Sequence, residues 1–260
     1  APTVSAADRN AAGALLDRAA LAAEANPEVP VRDGQYEYIE TYSSYAMFTG
    51  SGDTSAATMQ PWSSTSTWQP VTGAGTLLQR GGSGPEHREE VSNAGQSLGT
   101  PNYRYLQTLP TDPDALLRVL REYAPHHGGN PRDQQTFTLI GDILRGHNTT
   151  PALTAALFRA AAKLDGVTIV RDVTDVLGRP GVAVTQNQVQ GDREEWIFDP
   201  QTAAFIGERD VAVESEGSVH KGMVLGNMAV VKRGFVDGLG DIPQGDPVTP
   251  TRVVPTGPLV

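Results

Sequence analysis

Apolar residues recur along this chain in two periods, and the switch between them divides the sequence. From Ser5 to Ala25, SAADRNAAGALLDRAALAAEA has the helical period, with Ser5 placed as N-cap, Asp8 three residues on, and Ala11, Leu15, Ala19 and Ala22 in one stripe. Asn26-Pro27 ends it. In GQYEYIETYSSYAMF the period is two: Tyr36, Tyr38, Glu40, Tyr42 and Phe48 fall on one side of a long predicted strand, with Ile39, Tyr45 and Met47 on the other. Gly50 to Gly99 is poor in aliphatic residues, and alternation there fits strands at STSTWQPV, GTLLQR and HREEV.

Between Leu109 and Leu164 the period becomes helical again, and three helices share one start signal: a capping residue followed by proline. The pairs are Asp112-Pro113, Asn130-Pro131 and Thr150-Pro151; the side chain accepts an orphan amide, and proline lacks the donor that would otherwise go unsatisfied. Their apolar stripes are Leu116, Leu120 and Tyr123, then Phe137, Ile140 and Leu144, then Leu153, Leu157, Ala161 and Leu164, with Gly146 and Gly166 as stops. After Gly166 the period returns to two through VTIVRDV, GVAVTQNQV, DREEWIFD, AAFIGERDVAVES and VHKGMVLGNMAVVKRGFV, a predicted meander of strands.

This order predicts an α+β fold with helices covering one face of an antiparallel sheet. Residues 1–30 form an N-terminal helix and linker, 31–237 a single α+β domain (strands 35–100, helices 112–165, strands 167–236), and 238–260 a Pro/Gly-rich tail expected to be extended or disordered. Turns are expected at Gly178-Arg179-Pro180-Gly181, with positive φ at Gly181 and Arg179 at the surface, and at Asp199-Pro200-Gln201-Thr202.

Composition narrows the chemistry. The chain has 260 residues, no cysteine, and 30 acidic against 20 basic side chains, a net charge of −10. Thiolate chemistry and disulfides are excluded, and the sign of the charge opposes nucleic acid as a partner. No apolar run reaches the roughly 18 residues that span a bilayer. The first residues lack the basic region and apolar run of a signal peptide. Beginning APTVS without Met, the sequence is expected to be a mature or trimmed product whose targeting or anchoring segment lies outside it.

No catalytic group is assembled by any motif. His126, His127 and His147 flank a predicted helix whose ends lie about 22 Å apart, so a shared metal requires both loops to fold back, and no metal or cofactor is assigned. Glu89-Glu90 and Glu194-Glu195 are adjacent on strands and point to opposite faces, which suits solvated strand faces better than a carboxylate pair. Gly217-Ser218-Val219-His220 lacks the spacing of a nucleophile elbow, and the glycine clusters lack the Lys-Ser/Thr ending of a phosphate loop. Asn148-Thr149-Thr150 matches a glycosylation acceptor, but Thr150 already has a capping role. Aromatic rings are the better candidates: Tyr36, Tyr38 and Tyr42 on one strand face and Trp196 and Phe198 on another, with Leu120, Phe137 and Ile140 from the helices, would line an apolar pocket.

LPTDPDALLRVL, FTLIGDILRG, TPALTAALFRAAAKLDGVTIV, DVLGRPGVAV and EEWIFDPQTAAFIGE, taken in that order, resemble a family of uncharacterised actinobacterial envelope proteins often encoded beside extracytoplasmic-function sigma factors. The resemblance covers Val31 to about Gly238 and is most specific from Leu109 to Glu208. It implies an extracytoplasmic domain anchored by a preceding membrane helix, and it brings no catalytic residues. The element order is also similar to the lipoprotein-carrier fold of LolA, LppX and RseB, which implies a curved antiparallel half-barrel with the helical block on its concave face. One departure is Ala203, where the family usually has glycine after Asp-Pro-x-Thr, which puts the expected left-handed bulge in question.

The leading expectation is a non-enzymatic extracytoplasmic domain that binds a lipid, a lipoprotein tail or another apolar molecule, or senses envelope state through a protein partner. The alternative is a protein-interaction module without a small ligand, whose acidic face and edge strands meet a partner. A third reading is a hydrolase or metal enzyme using the loop histidines.

Overall fold

The computed structural model describes residues 5–50, 56–82, 84–92, 96–124, 131–186 and 192–244. Helix α1 (Ala6–Glu24) precedes strands β1 (Tyr36–Thr49), β2 (Ala56–Met59), β3 (Ser63–Pro70), β4 (Gly75–Gly81) and β5 (His87–Val91). The helical block comprises α2 (Tyr103–Leu106), α3 (Pro113–Tyr123), α4 (Arg132–Gly146) and α5 (Pro151–Ala161). It leads into β6 (Val167–Thr174), β7 (Pro180–Gln186), β8 (Asp192–Phe198), β9 (Phe205–Ala212) and β10 (Val224–Val236). The strands form one antiparallel sheet in the order β5-β4-β3-β1-β10-β9-β8-β7-β6, with β2 paired to the far end of β1; β5 and β6 end the order, so the sheet is curved but open. The α+β architecture and the antiparallel sheet carrying the helical block follow the sequence pattern. The short elements β2 and α2 were not expected from it.

Capping explains where the helices begin. Ser5 accepts the Asp8 amide at 3.0 Å, Asp112 accepts the Ala115 amide at 2.8 Å, and Thr150 accepts the Leu153 amide at 3.2 Å. At α4 the expectation needs correction: Pro131 is itself the N-cap, without a side-chain capping bond, and Asn130 lies outside the described residues. In α1 the buried face is Ala12, Leu15, Leu16, Ala19, Ala20 and Ala23, and the expected stripe members Ala11 and Ala22 are only half-buried. An alanine-rich helix offers several equivalent stripes, and packing against α5 selects one.

The principal core joins α1, α3, α4 and α5 to one face of β6–β8. Trp196 of β8 stacks on Phe137 of α4 with ring centroids 3.8 Å apart and planes 5° from parallel, while Phe198 meets Phe158 of α5 and Phe205 edge-on at 5.4 and 6.0 Å. The close approach depends on Gly141. A Cβ there would stand 2.1 Å from Glu194 Oε1 and 2.6 Å from Trp196 Nε1, so α4 can lie on β8 only without a side chain at this turn.

One turn corrects the sequence reading and another follows it. Before β7 the positive φ falls at Gly178 (79°) rather than Gly181, which is a buried strand residue facing Ile197. Arg179 is not a surface side chain: it pairs with buried Asp175 at 2.5 Å and donates to the Ile206 carbonyl at 2.7 Å. Asp175 also accepts the Leu177 and Arg179 amides, which closes the turn. After β8, Asp199 Oδ1 gathers the Gln201 and Thr202 amides and the Thr202 hydroxyl, and Ala203 takes φ 58°, so the left-handed residue is kept with alanine in place of glycine. The first residues after β10 are packed: Trp68 Nε1 donates to the Asp241 carbonyl at 2.6 Å, and Leu239 joins Tyr38, Trp68, Leu78 and Val236.

Gly141→Ala tests the close approach. Alanine improves helix propensity by about 0.8–1.0 kcal/mol. The added methyl must nevertheless displace a buried carboxylate and indole, so the variant is expected to lose about 1–3 kcal/mol in urea unfolding. A gain in stability would show that the helix is not held at this distance.

Candidate functional site

The same contact that completes the core creates a charged site beside it. On β8 the side chains of Glu194, Trp196 and Phe198 share the face that meets α4, by strand parity. Across the ladder Glu194 stands opposite Asp210 and Trp196 opposite Glu208, so two carboxylates on β9 join the one on β8, with like charges directly paired. Gly226 of β10 leaves room for this row, since a Cβ there would lie 2.6 Å from Asp210 Oδ2. From α4, Arg145 reaches down between the acids and pairs with Glu208 Oε1 and Asp142.

These groups line a cleft of about 800 Å³ between α4 and the β8–β9 ladder, whose mouth carries Asp192 and Asp142. Leu98, Leu139 and Ile143 supply an apolar wall. Glu208 is 2% exposed; one of its oxygens is bound by Arg145, and the other, Oε2, is buried with no hydrogen-bond partner among the described residues. Burial pushes the Glu208 carboxyl well above the usual range, and the neighbouring Glu194 adds to the shift. Glu194 is also pushed up by burial, against the indole N–H of Trp196 at 2.6 Å and the Arg145 charge. Asp210 is raised to about 7, first by burial and then by Glu194 and Asp192. One guanidinium therefore serves several carboxylates that cannot all ionise together.

The adjacent pair Glu194-Glu195 does splay to opposite faces, but neither carboxylate is solvated, which corrects the expectation. Glu195 is 0% exposed on the other face and is held by Arg193 and by Arg209, its partner across the ladder, at 2.5 Å. Glu89 and Glu90 are exposed, as expected.

A smaller groove of about 350 Å³ shares Asp192 and Asp210 with the cleft and continues to Glu214 and Glu216. Its other wall is the end of β1, where Tyr45 and Phe48 line the groove and Met47 and Phe48 are 52% and 53% exposed. Acidic side chains thus face an uncovered apolar strip.

The residues singled out as an apolar pocket are divided by the sheet. Leu120, Phe137, Ile140, Trp196 and Phe198 are buried together in the principal core, where Phe137 stacks on Trp196 across the helix–sheet interface. Tyr36, Tyr38 and Tyr42 lie on the opposite face of β1 from Glu37: Tyr36 and Tyr38 pack with Trp68, and Tyr42 stacks on Trp62 at 5.6 Å. None of the eight lines the cleft. His126 and His127 lie outside the described residues. His147 bonds Glu37 at 3.1 Å, and Glu37 also accepts the Asn148 amide, while half-buried Arg233 donates to the Leu144 and His147 carbonyls at the end of α4. Burial lowers the Arg233 pKa to about 10. Asn148 is buried and donates to the Gly234 carbonyl at 3.1 Å, a tertiary role that leaves its amide inaccessible to glycosylation. Ser218 accepts the Ala57 amide at 2.8 Å, a loop-pinning contact.

Asp142, Arg145, Glu208 and Asp210 did not emerge from motif inspection. Their signal was parity: Glu194 shares the face of Trp196 and Phe198, so a carboxylate there is necessarily interior.

No family model matches this sequence, and no curated protein sequence matches it. Among solved structures, the complex of Pseudomonas aeruginosa MucA/MucB is similar at 13% identity over 90% of this chain and 59% of that one, with a TM-score of 0.31. MucB in complex with MucA(peri) gives 12% identity, 86% and 55% coverage and a TM-score of 0.29; MucB alone gives 13%, 90% and 61%, and 0.31. The chain spans about three fifths of the length of these structures. A likeness this slight transfers neither a site nor a function.

The cleft predicts an unusual pH dependence. Because Asp210 keeps its proton to about 7 when folded, the native chain holds a proton that the unfolded chain releases near the ordinary aspartate range. This contribution is most favourable below about pH 4 and is lost as pH rises to about 7. Urea unfolding should therefore show lower stability at about pH 8 than at about pH 5, and Asp210→Asn should reduce that slope and stabilise the protein at pH 8 by about 1–3 kcal/mol. Wild-type stability that is flat or rising over this window would contradict the assignment.

Proposed function

We propose that this protein is a recognition domain that binds a basic, amphipathic segment of a protein partner, without chemical turnover. The observation that carries the reading is the groove in which Tyr45 and exposed Phe48 stand beside Asp192, Asp210, Glu214 and Glu216. Apolar strips uncovered at a strand end favour association, and the acidic rim selects a cationic occupant and rejects an acidic one. The net charge of −10 steers the same class of partner over longer range.

Storage of a lipid or lipoprotein tail between sheet and helices has less support, because Phe137 lies directly on Trp196 in the space such a guest would use. The extracytoplasmic setting, with an anchor outside this sequence, rests on the sequence resemblance of the Leu109–Glu208 region. In that setting the partner would be another envelope protein.

Peptide arrays provide the test. Peptides that alternate Lys or Arg with apolar residues should bind in preference to acidic or neutral ones, with affinity falling between about 50 and 300 mM salt. Phe48→Asp should weaken binding by about tenfold or more while leaving the fold intact, since the side chain is half exposed. Equal binding of acidic peptides, or indifference to Phe48→Asp, would remove the reading.

A further inference from the structure

The cleft between α4 and the β8–β9 ladder contains an acceptor that the fold itself does not use. Arg145 binds Glu208 Oε1 and Asp142, yet Glu208 Oε2 is buried and without a partner among the described residues, on a side chain that lines the cleft. A buried carboxylate oxygen left unpaired is costly, and such groups in native structures commonly await a ligand or hold a proton. Two further carboxylates, Glu194 and Asp210, line the same space, with Asp192 and Asp142 at its mouth.

We infer that this cleft binds an alkylammonium cation, with the ammonium group on Glu208 Oε2 and Asp210 and the methylene chain along Leu98, Leu139 and Ile143. Charge sets the sign of the ligand: five carboxylates line the cleft, and Arg145 is the guanidinium among them. Donor geometry sets its chemistry. An ammonium offers three donors on a compact head, whereas no group of three or more His, Asp or Glu side chains among the described residues could hold a metal ion. The apolar wall sets the rest of the ligand, because a methylene stem gains from burial there and a hydrated inorganic cation does not. At about 800 Å³ the space is ample for a small amine or for a lysine side chain.

Binding is coupled to protons. Burial pushes both carboxyls up, Asp210 to about 7, and an entering ammonium favours their ionised forms, so carboxyl protons pass to the buffer as the ion pairs form. The charged and titratable groups facing this exchange are Glu194 and Asp192 on β8, Asp142 and Arg145 on α4, His147 beyond it, Tyr123 at the end of α3, and Tyr45 of β1 beside Asp210.

The inference goes beyond the docking reading and stands whether or not a partner covers Phe48. Calorimetric titration of the intact protein with 1,5-diaminopentane and with Nα-acetyl-lysine methylamide, in two buffers of different ionisation enthalpy, is the test. Saturable binding by either probe is expected, with net release of protons at near-neutral pH. Binding of the diamine alone identifies a free amine as ligand, and binding of the lysine mimic alone identifies a partner side chain. Glu208→Gln should weaken binding by about tenfold or more, and Asp210→Asn by a comparable factor, while both variants unfold at denaturant concentrations no lower than the parent near pH 8. Neither probe carries the alternating apolar residues of the array peptides, so this titration and the test of the docking groove can fail separately. Absence of saturation by both probes up to about 10 mM, or equal affinity in Glu208→Gln and the parent, would overturn the inference.

Discussion

The contact of Gly141 with the β8 strand organises this molecule. Because α4 has no side chain at that turn, the helix descends until Phe137 lies flat on Trp196, and this stacking joins the helical block to the sheet. The same descent brings Arg145 within reach of Glu208 and seals Glu194 beneath Thr138 and the Trp196 indole. Hydrophobic closure and charge burial are therefore two results of one geometric constraint.

This arrangement has an energetic asymmetry across β8. On the outer face Glu195 is neutralised by Arg193 and Arg209 and contributes to a satisfied network. On the inner face Glu194 meets Asp210, and Glu208 keeps an oxygen unpaired. Ion pairs of the first kind bind strands together; an excess of carboxylates of the second kind opposes folding at high pH. Where a fold retains unfavourable interactions in a cleft, function is the usual reason, since buried acids can otherwise be replaced by apolar residues without loss. Here they sit next to the groove with the uncovered apolar strip, and Asp192 and Asp210 belong to both.

Much of the architecture was legible in the residues. Asp112-Pro113 and Thr150-Pro151 announced helix starts because capping is a local interaction, complete within four residues. Strand parity located Trp196 and Phe198 on one face. Less legible was everything that depends on what lies across the sheet. Glu194 was expected in solvent although its parity with Trp196 placed it inside, because an acidic side chain is buried only when another element supplies its partners. Arg179 was expected at the surface for the same reason, and the Asp175 turn and the Ile206 carbonyl draw it inward.

The three tyrosines of β1 and the aromatic pair of β8 illustrate the boundary. Sequence by itself determined the α+β class, the strand and helix order, the caps, and which residues of each strand share a face, because these follow from periodicity and from interactions a few residues long. It could not determine which face of β1 corresponds to which face of β8. That is set by the register of the intervening ladder, which passes from β1 through β10 and β9, with shifts between Glu40 and Thr41 and between Val224 and Gly226. Only the tertiary structure therefore separated Tyr36, Tyr38 and Tyr42 from Trp196 and Phe198, and only it brought Asp142, Arg145, Glu194, Glu208 and Asp210 to one cleft. Parity is counted along a single strand, whereas a site is assembled across several, and each irregularity in the ladder changes the correspondence between them.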